Sequence, residues 1–460
     1  MSGRHHDEHS PTTEGDEQPA GSGEDSGGVR RALRAVGPGI VTGAADDDPS
    51  GIATYAQSGA LYGTGLLWTV PLTLPLMIVV QEACERMTLA TGDSFGALIR
   101  RRFQRGARTW ITVLLAALLV ANSVNAAADL VAIGEGMSLL HAGPAPLWSL
   151  IAGVVIGFVV VRGSFAWISR IFKWLCLVLF AYVGVVVFAS VDWGDVLSGL
   201  LGRGFEWEPQ YLGLVVAVLG TTISPYMFFW QTEEREEMLR SDARTRQRGT
   251  NGRAKPLTLD DESPAQARRN LWLGRFDVIV GMLFSVAIMF AIVVSSAATL
   301  GVHHQKVDSA EAAAKALQPI AGDFAFALFA IGFIGSGMLA VLVLAASGAA
   351  GFAALLGRPW SLDRKPHQAR TFYALLLVGL TTAVALSIIG VDPIGLLVLS
   401  ATINGIAAGP FIIVLMLITG NRKLMGAHRN GWLARILGWT TAVIMCAAGA
   451  FGIFSVVLGQ

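Results

Sequence analysis

From about residue 33 onward, long apolar runs alternate with short polar or basic stretches. A helix needs about 20 residues to cross roughly 30 Å of hydrocarbon. By that measure the pattern predicts eleven spanning helices, over 33–62, 64–87, 109–140, 145–161, 171–191, 209–232, 274–300, 322–356, 371–390, 393–419 and 432–458. Two of the eleven are interrupted by polar residues and proline. The first carries "GAADDDPSGIA" at 43–53 and the sixth "VLGTTISPYMFFWQTEE" at 218–234.

Proline lacks an N–H and disfavours helix in the residue before it, so a helix entering the first break stops at Asp48. Asp48 can then cap a second half-helix with Pro49 in its first turn. One capping oxygen suffices for a kink, whereas Asp46, Asp47 and Asp48 supply three carboxylates. Each costs at least about 2.5 kcal/mol at mid-membrane, so the three must face water, protein or a cation.

Ser224-Pro225 interrupts the sixth run in the same way, after Thr221 and Thr222. Breaks at corresponding positions of two five-span halves point to an inverted repeat with a site between them. The expected boundaries are about 33–191 and 209–419, with 432–458 as an added helix. Unwound carbonyls and a formal negative charge at Asp48 suit a cation at that site.

Composition agrees: hydrophobic residues make up 53%, charged residues 15%, and the mean hydropathy is +0.56. This excludes an ordinary soluble protein and predicts an all-α polytopic membrane protein embedded in a lipid bilayer. Residues 1–30 have little to bury and are expected to form a disordered tail. With that tail cytoplasmic, all 34 Lys and Arg except Arg203, Lys306 and Lys315 fall on the inner side. The bias predicts a bacterial inner-membrane protein with its N-terminus inside and its C-terminus outside.

The segment 233–272 is expected to be a mobile, orientation-setting cytoplasmic loop rather than a nucleic-acid surface. Cys84, Cys176 and Cys446 lack paired spacing, no nucleotide-binding loop motif is present, and no nucleophile and base stand together. An enzyme, an ATP-driven pump and a resident cofactor are all unsupported.

Asn122, Asn125 and Asp129 share one helical face, either as glue between helices or as lining for an ion path. Glu233 and Glu234 are read as a solvated helix end, with a role in attracting cations as the alternative. Glu82, Glu85 and Arg86 are read as a polar network at a helix end, and "GSG" at 335–337 as a close packing point. "HHDEH" at 5–9 is too flexible to make a built metal site. All eight histidines fall in the tail or in loops, which argues against a histidine relay.

On the two breaks, the chain resembles the Nramp (natural resistance-associated macrophage protein) family of divalent metal transporters. The family's Asp-Pro-Gly-Asn corresponds to Asp48-Pro49-Ser50-Gly51, and its Met-Pro-His to Ser224-Pro225-Tyr226. Further similarity lies in "VVQEACERM" at 79–87, "AADLVAIG" at 127–134 and "INGIAAGPFIIVLMLITGNRKLMG" at 403–426. The resemblance implies a LeuT-like 5+5 inverted repeat with discontinuous helices 1 and 6. It also implies a metal site of Asp48, the Thr221 and Ala45 carbonyls, Ser224 and, more weakly, Asp47.

The departures bear on cargo. Ser224 replaces a soft thioether with a hard hydroxyl, and Gly51 replaces Asn and is expected to widen the pocket. Both fit the family's magnesium-transporting branch. Ala132 and Tyr226 stand where proton-coupled members carry Glu and His, which implies transport uncoupled from protons.

The expectation is therefore alternating-access import of Mg²⁺, with Mn²⁺ as a further cargo. The alternatives are a proton-coupled Mn²⁺ or Fe²⁺ symporter, a sodium-coupled amino-acid or organic-cation symporter on the same fold, and a channel or sensor. Oligomeric state stays open, a monomer included.

Overall fold

The computed structural model describes residues 38–162, 180–188, 191–246, 256–301, 307, 309–318, 322–362, 364–389 and 392–458. Its first helices are α1 (Pro38–Asp46), α2 (Pro49–Tyr62), α3 (Thr69–Thr91), α4 (Arg105–Leu139), α5 (Ala145–Arg162) and α6 (Phe180–Phe188). There follow α7 (Pro209–Thr222), α8 (Pro225–Arg246), α9 (Pro264–Thr299), α10 (Ala325–Leu355), α11 (Arg370–Ser387), α12 (Pro393–Thr419) and α13 (Trp432–Leu458). Short helical pieces join them, and there is no strand among the described residues.

Both interruptions follow the residues expected to cause them. Asp48 sits in extended backbone (φ −71°, ψ 168°), and its carboxylate accepts the Gly51 N–H at 2.8 Å, capping α2 behind Pro49. At the second break, the Ser224 hydroxyl donates to the Gly220 carbonyl at 2.7 Å. It thereby satisfies one of the acceptors that the end of α7 leaves open.

The two broken elements pack crosswise, α2 on α7 and α1 on α8. That pairing arises when they run antiparallel, so their breaks meet at one depth. Around them, α9 packs along α1 and α2, α12 against α2 and α7, and α4 against α10, α11 and α12. Backbones touch where no side chain intervenes. A Cβ on Gly43 would lie 2.2 Å from the Gly281 carbonyl oxygen, and one on Gly220 would lie 2.1 Å from that of Ala401.

Among the described residues, eight helices are long and apolar enough to cross a membrane, with α7 and α8 joined as one. The expected first span is divided into α1 and α2, and the second carries Glu82, Glu85 and Arg86 in α3. Of the expected span 171–191, residues 171–179 and 189–190 lie outside the described residues, as do the tail 1–30, "HHDEH", Cys176, His303 and His304.

The expected loop 233–272 is shorter than its polar composition indicates. Helix α8 runs on to Arg246, α9 starts at Pro264, and residues 247–255 lie outside the described residues. Glu, Arg, Leu and Met favour helix, and an i,i+4 ion pair between Glu236 and Arg240 adds to it.

Gly43→Val should separate α1 from α9 and cost about 1–3 kcal/mol, as overpacking does. In detergent-purified protein it is expected to lower the apparent Tm by a few degrees. Gly213→Ala, at a position with no atom within 4 Å of an added Cβ, should leave Tm unchanged or slightly raised.

Candidate cation site

Where the breaks meet, Asp48 is 1% exposed. Its two oxygens are used differently. Oδ1 accepts the Gly51 N–H at 2.8 Å and the Ser50 hydroxyl at 2.6 Å. Oδ2 accepts the Tyr226 hydroxyl at 3.5 Å. The same hydroxyl reaches the Ala45 carbonyl oxygen, at the open end of α1, at 3.3 Å. One phenol O–H thus marks a point shared by a carboxylate and a helix-end carbonyl, both donors of the kind a hard cation takes.

Helix α4 supplies the far wall. The Asn125 amide is buried, and among the described residues both carboxylate oxygens of Asp129 are buried without a hydrogen-bond partner. Asn125 faces Asp48, and Asp129 lies within electrostatic reach of it. Asn122, expected to share their role, instead donates its amide to the Leu344 carbonyl of α10 at 3.1 Å. Of the three, Asn122 ties helices together while Asn125 and Asp129 turn toward the break.

The remaining expected ligands lie at the same depth with other partners. Thr221 Oγ1 meets Ser50 Oγ at 3.2 Å, and the Thr221 carbonyl accepts the Ser224 hydroxyl at 3.1 Å. Gly51 does not widen the pocket. A Cβ there would lie 3.2 Å from Thr221 Oγ1 and 3.3 Å from the Tyr55 ring, so that space is already filled.

Asp47 turns away from Asp48's partners. With Asp46 it faces α9, where Ser285 Oγ contacts both carboxylates. Among the described residues, no three His, Cys, Asp or Glu side chains converge as a metal-binding group. The three consecutive aspartates therefore serve two places rather than one. Ser50, Tyr55 and Ser285 were not among the expected site residues, and Asp46 was expected only to need water, protein or a cation beside it. Ser50 was visible as the third residue of the tetrad; Ser285 had no signal, being one serine in an apolar run.

Glu233 and Glu234 are not a solvated helix end. Glu233 is 3% exposed, and each has a buried oxygen without a hydrogen-bond partner. Helix α8 continues past them and packs on α3 and α10. They stand far along α8 from Asp48, beside a network that closes this basic end of the bundle. There the Thr42 hydroxyl donates to Gln231 at 2.6 Å, Gln231 to Glu85 at 3.0 Å, and Arg235 pairs with Glu85 at 2.5 Å. Arg86 binds Glu82 at 3.0 Å and Asn430 at 2.8 Å. Helix α1 is thus tied to α8 and, through it, to α3.

At the other end of the bundle, Tyr62, Asp192, Asp195, Glu206 and Val294 line a cavity of about 520 Å³. His141 lies in a turn, and His367 and His428, expected in loops, lie in short 3-10 helices between the long ones, away from the break.

A family described as "Natural resistance-associated macrophage protein-like" matches residues 39–455. The divalent metal cation transporter MntH of Deinococcus radiodurans is 27% identical over 435 residues, covering 92% of this chain and 90% of that protein. MntH of Bacillus subtilis is 23% identical over 428 residues, covering 92% of each. In three dimensions, the chain superposes on a mutant of the Eremococcus coleocola manganese transporter with a TM-score of 0.71. The identity is 15%, over 95% of this chain and 89% of that one. It also superposes on Mhp1, a nucleobase-cation-symport-1 family transporter, with a TM-score of 0.55 and 14% identity, over 91% of this chain and 93% of that one. The chain belongs to the Nramp family, as an integral-membrane divalent metal cation transporter with a LeuT-like inverted repeat and not as an enzyme.

Proposed function

We propose that this transporter carries Mn²⁺ by alternating access and that the same site admits Mg²⁺. The observation that carries the reading is the shared point between Asp48 Oδ2 and the Ala45 carbonyl, both reached by the Tyr226 hydroxyl. An entering ion takes these two oxygens and displaces or reorients the phenol. Asp129 supplies a second negative charge from the far wall.

Manganese is supported by the similarity to the E. coleocola manganese transporter and to the MntH proteins. The expectation of Mg²⁺ as the main cargo takes second place to it. Its support is local chemistry: the named donors are all oxygens, with Ser224 where the family's thioether stands, so nothing soft selects against a hard ion. Oxygen ligands and retained waters suit both cations.

The rest of the path follows from charge. With the basic end inside, the Thr42–Gln231–Glu85 chain closes the cytoplasmic side. Asp192, Asp195 and Glu206 then line the outer cavity and concentrate cations there. Inward movement of two charges through 100 mV gains about 4.6 kcal/mol, enough to drive uptake unaided.

A second reading, co-transport of a proton, is favoured by Asp129, a buried carboxylate with no hydrogen-bond partner on either oxygen. The absence of His and Glu at 226 and 132 favours uncoupled uptake. The two readings part in proteoliposomes with a pH reporter inside: Mn²⁺ influx with proportional acidification establishes coupling, and influx without it excludes coupling.

Three variants test the site by Mn²⁺ uptake. Asp48→Ala should abolish uptake above background while the protein stays monodisperse; retained uptake would overturn the assignment. Tyr226→Phe removes a hydroxyl that competes with the ion for two oxygens, a contact worth about 0.5–1.5 kcal/mol. Its KM for Mn²⁺ should fall about two- to tenfold, and an unchanged KM would mean the phenol stands outside the ion's path. Ser224→Met should make Mg²⁺ about tenfold poorer as a competitor, because a thioether disfavours hard cations. Undiminished Mg²⁺ competition would show that position 224 does not set selectivity.

A further inference from the structure

Away from the break, α9 and α13 both pack on α3. At the basic end of the bundle a cavity of about 660 Å³ is lined by residues of all three. Its floor is held by Arg86, which is buried and donates to Glu82 at 3.0 Å, to the His428 carbonyl at 2.6 Å and to Asn430 at 2.8 Å. The connection from α12 to α13 is thereby fixed against α3.

Charge on the lining is one-sided, with Arg86, Arg275 and Arg429 against a single acid, Glu82. That acid is already taken by Arg86 and by Arg275 Nε, at 2.9 Å. A guanidinium carries five N–H donors, and the Arg275 side chain stays 54% exposed, so donors are left over. Arg429 is exposed and, among the described residues, has no ion-pair partner within 4.0 Å. The neighbouring Asp260 lies 3.3 Å from His428 Nε2. A second cavity, of about 530 Å³, shares Ala427 and Arg429 with the first and adds Arg422.

Much of the remaining lining is apolar, with Pro75 and Ile78 on α3 and Leu433 and Leu437 on α13. Pro75 precedes Arg86 by three turns of α3, about 16 Å along the axis. A Cβ added to Gly431, also on the lining, would meet no atom within 4 Å, so the groove is open there. Trp432 on the lining is 74% exposed and Trp272 of α9 is 61% exposed. Tryptophan collects at the headgroup level of a bilayer.

We propose that this groove binds an anionic phospholipid, with the phosphate on Arg275 and Arg429 and an acyl chain along Pro75, Ile78 and Leu437. Charge complementarity selects the headgroup, since basic pockets between spanning helices take anionic lipid phosphates and the planar arginine fork matches them. The apolar length selects a lipid over a free phosphate, which would leave it uncovered. A bound lipid would join α9 to α13 across α3. It would brace the end of the bundle where Thr42, Gln231 and Glu85 are chained together.

The test uses the full chain, purified in detergent and stripped of lipid. It is titrated with phosphatidylglycerol or with phosphatidylcholine of the same acyl chains, and bound lipid is counted by native mass spectrometry. The expected result is one phosphatidylglycerol per chain, retained at concentrations where phosphatidylcholine is not. Arg275→Gln and Arg429→Gln should each weaken binding about fivefold, since a basic side chain near an anionic headgroup contributes about 1 kcal/mol. Arg105→Gln, exposed at the start of α4 and outside the groove, should leave it unchanged. Gly431→Phe fills the groove without altering charge and should also weaken binding.

Equal retention of the two lipids would overturn the proposal. So would unchanged binding in Arg275→Gln and Arg429→Gln, or in Gly431→Phe, or an equal loss in Arg105→Gln, which would mean diffuse surface charge rather than a groove. Displacement of the lipid by inorganic phosphate at equal concentration would assign the arginines to a small anion and overturn the lipid.

Discussion

A carboxylate in the interior of a membrane protein must be matched by something, and the structure is arranged around that constraint at Asp48. Ionised and unmatched, each such group costs several kcal/mol, about 2.5 even on the mildest scale. Matching begins with the break itself: the same residue that ends α1 caps α2 through Gly51. Half of the carboxylate is thereby spent on the backbone, and the other half is left for Tyr226 or an ion. Glycines at 43 and 220 let α9 and α12 touch the broken elements directly, so the two breaks are held at one depth.

What occupies the position of the family's metal-binding sulfur and imidazole gives this site its character. Ser224 closes the end of α7 through Gly220, and Tyr226 reaches across to α1. The result is an oxygen-lined site with a hydroxyl across its mouth. In the proposal, similarity to the MntH divalent metal cation transporters bears on the class of cargo and the donor set on breadth within it. On the reading proposed above, the site binds Mn²⁺ without rejecting Mg²⁺.

Much of this was legible in the residues. Asp48-Pro49 and Ser224-Pro225 marked both breaks because proline acts through local covalent geometry, which needs no tertiary context. The alternation of apolar runs and basic loops likewise announced a polytopic membrane protein. Partners across helices were not legible. Nothing local says that Asp46 and Asp47 turn to Ser285, 238 residues or more away, or that Asn122 goes to Leu344 while Asn125 and Asp129 do not. Gly51 misled because an absent side chain reads as space, whereas Thr221 and Tyr55 fill it. Glu233 and Glu234 misled because charge reads as solvent exposure, whereas α8 continues past them, packed on α3 and α10.

The most direct measurement is the position of bound Mn²⁺, located by anomalous scattering from crystals of the wild-type protein grown with the ion. The expected map has a peak within bonding distance of Asp48 Oδ2 and the Ala45 carbonyl, with the Tyr226 hydroxyl moved aside. A peak elsewhere along the bundle with none at the meeting of the two breaks would contradict the assignment of the cation site to Asp48.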